Sequence, residues 1–216
     1  ANNEIGTIQP IKQVGKIARE HEIAFHSDAV AAEGLLKLDV ERDDIDLMTL
    51  SSNDIYGPKG VGVLYARKGF RTNPLIIGGG QEFGLRSGSE NVAGIIGMKT
   101  AAEIMMKEME DEVNRLKTYR DKLIKTIPTI IPKSFLNGHP TERLANNTHF
   151  RFEGIEGESI LLSMKDLNIS IATGSACSSK TLEPSHTLIG TVLLKEDADG
   201  SLAITCGRFN KVQQIG

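Results

Sequence analysis

One of the two cysteines, Cys177, lies in a loop of small residues and has the features of a sulfur nucleophile. The loop spans residues 172–179 and contains only alanine, threonine, glycine, serine and this cysteine. Such a loop can move and keeps a thiol exposed, so a thiolate here can attack a group and carry it elsewhere. The alternative is an inert free thiol. The other cysteine, Cys206, is interpreted as a core residue because it follows an apolar strand.

Two charged residues follow predicted strands and suit the binding of a charged ligand. Asp28 ends a predicted strand, and a buried carboxylate there needs a cationic partner such as the protonated pyridine ring of a cofactor. Its alternative role is to cap a helix over residues 29–34. Arg208 follows Gly207 and can bind a substrate carboxylate with both guanidinium nitrogens, or it can form an ordinary surface ion pair.

The elements that must position these residues follow an α/β pattern. Pro10 starts a predicted helix, and a long helix over residues 92–125 is expected to end at Pro128. Polar residues at the carboxyl ends of strands face the ligand crevice in such sheets, which makes Asp28, Ser51 and Ser52 candidates. The predicted strands are residues 23–28, 46–52, 61–65, 147–152, 169–171 and 202–205, and a third helix is predicted near residues 158–164.

Composition excludes several classes of protein. The chain of 216 residues has 25 basic and 28 acidic residues, which gives a net charge of −3, and 39% of its residues are hydrophobic. This balance is typical of a folded protein, and the net charge is too small to indicate binding to nucleic acid. The sequence contains no apolar run of membrane-spanning length. Two cysteines cannot build a disulfide framework, so a cytoplasmic location is expected.

Six short motifs occur in the order seen in the cysteine desulfurases, which the chain resembles over essentially its whole length. These are pyridoxal-phosphate enzymes with the class V aminotransferase fold, and they deliver sulfur for iron–sulfur cluster assembly. The resemblance implies a fragment without the N-terminal part and the last helix, whereas a complete chain that has lost Met is the alternative. The motifs are Asn2-Asn3-Glu4-Ile5-Gly6, His26-Ser27-Asp28-Ala29, residues 51–60, Arg86-Ser87-Gly88-Ser89, Gly174-Ser175-Ala176-Cys177 and Gly207-Arg208-Phe209.

By this resemblance, the fold is α/β in two parts. Residues 1–105 would be part of the large domain of fold type I, with a mixed, largely parallel sheet that binds pyridoxal 5'-phosphate. Residues 106–216 would form a smaller α/β C-terminal domain that carries the cysteine loop. Ser89 would reach the cofactor phosphate of the partner subunit, which implies a homodimer.

The resemblance also assigns roles in the cofactor and substrate sites. Asn3 would hydrogen-bond the cofactor or the substrate, Asp28 would pair with the pyridine nitrogen, and Ser51 would hold the phosphate. Arg208 would bind the α-carboxylate of L-cysteine. Cys177 would attack the substrate sulfur and become a persulfide, and alanine would be released.

The sequence departs from the family where the cofactor is normally attached. The family motif reads Ser-Gly-His-Lys, and its lysine forms the Schiff base, whereas this chain has Asn53 and Asp54 at the last two positions. A carboxylate cannot form an imine or act as an amine base, so the cofactor would be held without a covalent bond. Asn53 stays assigned to the cofactor pocket, and a glutamine of the family is replaced by Ala31. Lys59 lies in a turn expected to point away from the crevice.

Two hypotheses from different classes follow. In the first, the protein is a cysteine desulfurase that mobilises sulfur from L-cysteine. In the second, it is a catalytically impaired homologue in which Cys177 serves as a sulfur carrier, or as a thiolate ligand to a [2Fe-2S] cluster on an iron–sulfur scaffold protein. Asp54 alone separates the two.

Overall fold

A computed structural model describes residues 1–173, 184–191 and 193–215. The chain forms two compact units. One unit comprises Pro10–Met109, and the other combines Ala1–Gln9 with Glu110–Gly216. In the described ranges, no helix is both long enough and apolar enough to cross a membrane.

The unit Pro10–Met109 contains a three-stranded mixed sheet. Helix α1 (Ile11–Glu20) begins after Pro10, as predicted, and strands β1 (His26–Asp28), β2 (Leu47–Ser51) and β3 (Gly62–Ala66) follow. Strand β1 pairs in parallel with β2, whereas β3 pairs antiparallel with β2. Since β1 and β2 run in the same direction, their carboxyl ends lie at one edge of the sheet.

Strand β1 is shorter than the predicted strand over residues 23–28, and that prediction was wrong for residues 23–25. The Phe25 N–H donates to the Asp46 side chain at 3.0 Å instead of joining a strand ladder. The Phe25 carbonyl accepts from the backbone of both Asp46 and Leu47. The regular pairing of β1 therefore begins only at His26, opposite Leu47.

Helix α2 (Val92–Ile130) continues past the expected stop at Pro128. A proline lacks the N–H that would bond to the carbonyl four residues earlier, so it interrupts the helix only on its N-terminal side. The backbone beyond it stays helical, and the Ile131 N–H donates to the Ile127 carbonyl at 2.9 Å. The proline thus lies in the last turn, where one missing hydrogen bond costs little.

The second unit contains an antiparallel four-stranded sheet in the order β4-β5-β7-β6. Strand β5 has the predicted bounds, and β7 begins one residue before the prediction. Helices α3 (Gly157–Asp166), α4 (His186–Gly190) and α5 (Lys195–Asp199) accompany the sheet. The strands are β4 (Ser134–Leu136), β5 (Asn147–Phe152), β6 (Ala172–Thr173) and β7 (Ser201–Thr205).

The predicted strand over residues 169–171 was wrong, because these residues link the C-terminus of α3 to β6 without joining the sheet. Asn168 has a left-handed φ of 57°, and the Ile169 N–H donates to the Met164 carbonyl at 3.0 Å. This bond closes the C-terminus of α3 in the manner of a helix cap. The strand therefore starts at Ala172, opposite Ala203 of β7.

The core of this unit contains a neutral histidine. His149 is fully buried on β5, and its Nδ1 lies 3.0 Å from the Asn137 Nδ2. Burial, and secondarily the charge of Arg143, lowers the pKa of His149 to about 4. The ring is uncharged at neutral pH and packs as a core residue beside Phe150. The mixed α/β architecture predicted from the sequence is confirmed.

Candidate functional site

The carboxyl ends of β1 and β2 present Asp28 and Ser51 at the same edge of the sheet. Asp28 is exposed, and its Oδ1 accepts the Val30 N–H at 2.9 Å. Within the described part of the chain, no protein donor bonds to its other carboxylate oxygen. The helix considered over residues 29–34 is absent, because these residues form turns. Asp28 therefore closes a local turn with one oxygen and leaves the second for a ligand cation.

Sequence reasoning missed a buried carboxylate beside this edge. Glu33 is only 6% exposed, and its Oε1 accepts the Ser51 N–H at 2.7 Å. This bond fixes the backbone of Ser51, the residue assigned to the cofactor phosphate. The sequence signal for Glu33 was its place directly after the apolar run of residues 29–32, which puts it on the inner side of the turn.

Three carboxylates act on one another at this site. Burial is the main cause that raises the pKa of Glu33, the Ser51 N–H opposes it, the charges of Asp54 and Asp28 add to it, and together they bring the pKa to about 7. A carboxyl group with this pKa is protonated in a large fraction of molecules at neutral pH. A neutral Glu33 repels a phosphate group less than an ionised one would, which suits a phosphate held by Ser51.

Glu33 should make the protein less stable as the pH rises. Its pKa is about 7 in the fold, against the ordinary 4.5, so the protonated fold is favoured. The protonated Glu33 adds on the order of 3 kcal/mol to the free energy of unfolding. This contribution is present below pH 4.5 and is lost as the pH rises through 7. We expect Glu33→Gln, which keeps an acceptor for the Ser51 N–H, to raise the melting temperature at pH 8 by several degrees. A thermal melt at pH 4 is the control, since the two proteins should then unfold together. An equal gain at both pH values would contradict this account.

The turn after β2 carries Asp54, the residue that the resemblance assigns to the position of the family's lysine. Asn53 and Asp54 are exposed in a 3-10 turn, Asn53–Ile55. Ser52 is fully buried beneath it, and a side chain at Gly57 would bring its Cβ within 2.3 Å of the Ser52 Oγ. Only glycine fits this close approach, so the turn is tightly packed and the acid at position 54 is part of a defined conformation.

The N-terminal segment of the second unit carries Asn3 in a closed turn. Asn2 Oδ1 accepts the N–H groups of Glu4 and Ile5 at 3.0 and 2.9 Å, which leaves Asn3 exposed at the tip. The Glu4 carboxylate accepts the hydroxyls of Ser185 and Thr187. Glu4 was not identified from the sequence, and its contacts tie the Asn3 turn to the start of α4.

Arg208 is half-buried and follows β7, in a short turn of the same unit as Asn3. The Asn210 Oδ1 accepts the Gly207 N–H at 2.7 Å, and the Asn210 N–H donates to the Gly207 carbonyl at 3.1 Å. These two bonds close the turn from residue 207 to residue 210 and present Arg208 within it. Arg208, which is predicted to bind the substrate carboxylate, therefore lies on a defined backbone.

Of the remaining predicted residues, the structure describes Ser89 and Cys206 but not Cys177. Ser89 is exposed shortly before α2. Cys177, predicted as the nucleophile and as a metal ligand, lies outside the described residues. Cys206 is a buried free cysteine, and burial raises the pKa of its thiol against the opposing charge of Arg115. No group of three or more His, Cys, Asp or Glu side chains suited to a metal ion occurs in the ranges that are described.

The predicted site residues thus fall into two groups. Asp28, Ser51 and Asp54 lie around Glu33 in the unit Pro10–Met109. Asn3 and Arg208 belong to the other unit.

Comparisons with known proteins agree over the whole chain. The family model for class V aminotransferases matches residues 1–212 of this chain. The cysteine desulfurase IscS 1 of Archaeoglobus fulgidus is 54% identical over 215 residues, and the match covers 100% of this chain and 56% of that protein. The cysteine desulfurase IscS of Methanosarcina thermophila is 50% identical, with 100% and 53% covered.

A solved structure gives the same answer for the fold. The NifS-like protein from Rickettsia africae superposes with a TM-score of 0.91 at 29% identity, and the match covers 100% of this chain and 57% of that one. The fold is therefore that of the NifS-like proteins, fold type I of the pyridoxal-phosphate enzymes. The chain spans about half the length of the curated relatives it matches.

Proposed function

The chain belongs to the class V aminotransferase family, and from that premise we propose that the protein mobilises sulfur from L-cysteine as a persulfide on Cys177. Alanine is the second product, and the sulfur is delivered for iron–sulfur cluster assembly. The observation that carries this proposal is the match of the entire chain to cysteine desulfurases. The charged residues expected for the pyridine nitrogen of the cofactor and for the α-carboxylate of an amino-acid substrate, Asp28 and Arg208, are both present.

The residues fit a pyridoxal phosphate that is bound without a covalent link. The spare carboxylate oxygen of Asp28 suits the protonated ring nitrogen, and the Ser51 hydroxyl suits the phosphate. Asp54 offers no amine for an imine. When bound, the cofactor supplies the electron sink that weakens the carbon–sulfur bond of the substrate.

The chain's own residues divide the rest of the work. Arg208 binds and orients the α-carboxylate of cysteine, while Asn3 hydrogen-bonds the cofactor or substrate. The Cys177 thiolate attacks the substrate sulfur, and the sulfur leaves cysteine as a persulfide on the protein. With a carboxylate at position 54, the α-proton must move without the amine that the family uses, so this step limits the rate.

The same residue favours a second candidate function. A homologue that cannot process cysteine can still use Cys177 as a sulfur carrier, or donate its thiolate to a [2Fe-2S] cluster on a scaffold protein. Asp54 is the specific observation behind this alternative. Both candidates place the protein in the cytoplasm as a homodimer, with Ser89 reaching the phosphate of the partner subunit.

Product analysis of the intact protein tests the first proposal. With added pyridoxal phosphate, L-cysteine and a thiol reductant, we expect sulfide and alanine in equal amounts. Omitting the cofactor is the control and should abolish both products. Absence of alanine, together with a Cys177 persulfide formed from an external sulfur donor, would instead support the carrier function. Absence of any Cys177 persulfide would contradict both the desulfurase and the sulfur-carrier functions, and would leave the thiolate-ligand function as the alternative.

A further inference from the structure

Arg115, on the second half of α2, contacts the turn that presents Arg208. Its Nη1 donates to the Asn210 carbonyl at 2.6 Å, and its Nη2 donates to the carbonyls of Gly207 and Arg208 at 3.1 and 3.3 Å. One guanidinium therefore binds three backbone carbonyls within four consecutive residues. Three such hydrogen bonds hold the backbone of the turn in place, which a single ion pair with one side chain would not do.

Arg115 is itself held in place from its own helix. Glu112, three residues earlier, accepts the Arg115 Nε and Nη2 with its two carboxylate oxygens at 2.8 and 2.7 Å. The guanidinium also lies 5.0 Å from the centroid of the Tyr119 ring. The Glu112 hydrogen bond raises the pKa of Arg115, which stays charged at all relevant pH values.

Backbone hydrogen bonds within the same unit also hold this turn. It follows β7, where the Cys206 N–H donates to the Asn146 carbonyl, and its own closing bonds run between Gly207 and Asn210. Without Arg115, three carbonyls would lose a charged donor. The backbone of Arg208 could then sample several conformations, and each would place its guanidinium differently.

We propose that Arg115 is a positioning residue for substrate binding, and that Glu112 and Arg115 together hold the turn so that Arg208 meets the α-carboxylate of the amino-acid substrate. This inference rests on the proposed function, in which Arg208 binds that carboxylate. Two-point recognition of a carboxylate requires the guanidinium within a fraction of an ångström, so a loosened turn costs affinity for the carboxylate in particular.

The test compares two ligands that differ only in that group. L-alanine carries the carboxylate, whereas ethylamine lacks it, and neither has a sulfur to lose. Their dissociation constants are measured on the intact protein with bound pyridoxal phosphate, from the change in cofactor absorbance. For Arg115→Met we expect binding of L-alanine to weaken about tenfold and binding of ethylamine to stay within about twofold.

Further variants keep the result decisive. Glu112→Gln leaves Arg115 present and should give a smaller loss of the same selective kind, which guards against a misfolded Arg115→Met protein. Lys117→Met removes an exposed charge from the same helix and should change neither constant. Equal losses for L-alanine and ethylamine would show general damage and overturn the inference.

Arg208→Met separates this inference from the proposed function. If Arg208→Met weakens binding of L-alanine but Arg115→Met does not, the positioning role is wrong and the assignment of Arg208 stands. If Arg208→Met leaves binding of L-alanine unchanged, the carboxylate site of the proposed function fails. Selective losses in both variants support both claims.

Discussion

Replacing Asp54 with lysine is expected to raise the rate of sulfide release from L-cysteine by about a hundredfold or more in the intact protein. The substitution restores a primary amine at the position where the family carries its Schiff-base residue. That amine can bond to the cofactor and can move the α-proton, and a carboxylate does neither. A positioned general base alone accelerates a reaction by about this factor, so the variant should release sulfide much faster than the unmodified protein.

The exposure of Asp54 favours tolerance of this change. The residue lies on the outer side of the 3-10 turn, while Ser52 and Ile55 supply the buried contacts. Lysine therefore replaces no core packing. It also removes one of the two charges that raise the pKa of Glu33, so repulsion at this edge of the sheet should fall.

Two controls separate the amine from the loss of negative charge. Asp54→Asn removes the charge without adding an amine, and we expect less than about a tenth of the lysine variant's gain. Borohydride reduction should attach the cofactor to the Asp54→Lys protein and not to the unmodified one. In the background of the lysine variant, Lys59→Met should leave the gain unchanged. An asparagine variant as active as the lysine variant would contradict the argument.

The sequence predicted what depends on local pattern and chain direction. Alternation and turn residues placed β2 and β5 nearly to the residue, and two strands ending in polar groups correctly put Asp28 and Ser51 at one edge of the sheet. The type of Asp54 was read directly, because its significance lies in chemistry and not in its environment.

The contributions of Glu33 and Arg115 could not be read in this way. The pKa of Glu33 depends on burial and on the charges of two carboxylates, of which Asp54 lies beyond the next strand. Arg115 reaches carbonyls more than 90 residues along the chain, and in the sequence a basic residue of a long helix looks like any solvated charge. Both roles arise from tertiary packing, which the residue types along the chain do not specify.

The second large effect concerns the two cysteines. In the intact protein we expect Cys177→Ala to abolish sulfur transfer, lowering it by about a hundredfold or more, because Cys206, the other cysteine of this chain, is buried and does not replace it. Cys206→Ala should keep transfer within about twofold. The measurement is sulfur delivered to an acceptor thiol, together with mass analysis of the persulfide after alkylation.

Cys206 is the matched control because its environment makes it unreactive. The residue is 8% exposed, and burial raises the pKa of its thiol although Arg115 opposes the shift. The nucleophilic thiolate is therefore scarce there at neutral pH, and access is poor. Truncation to alanine removes one buried sulfur at a cost of about 1 kcal/mol in stability, too little to unfold a protein of this size. Equal losses of transfer in the two variants would mean that the sulfur is not carried specifically by Cys177, and the proposal of a persulfide on that loop would fall.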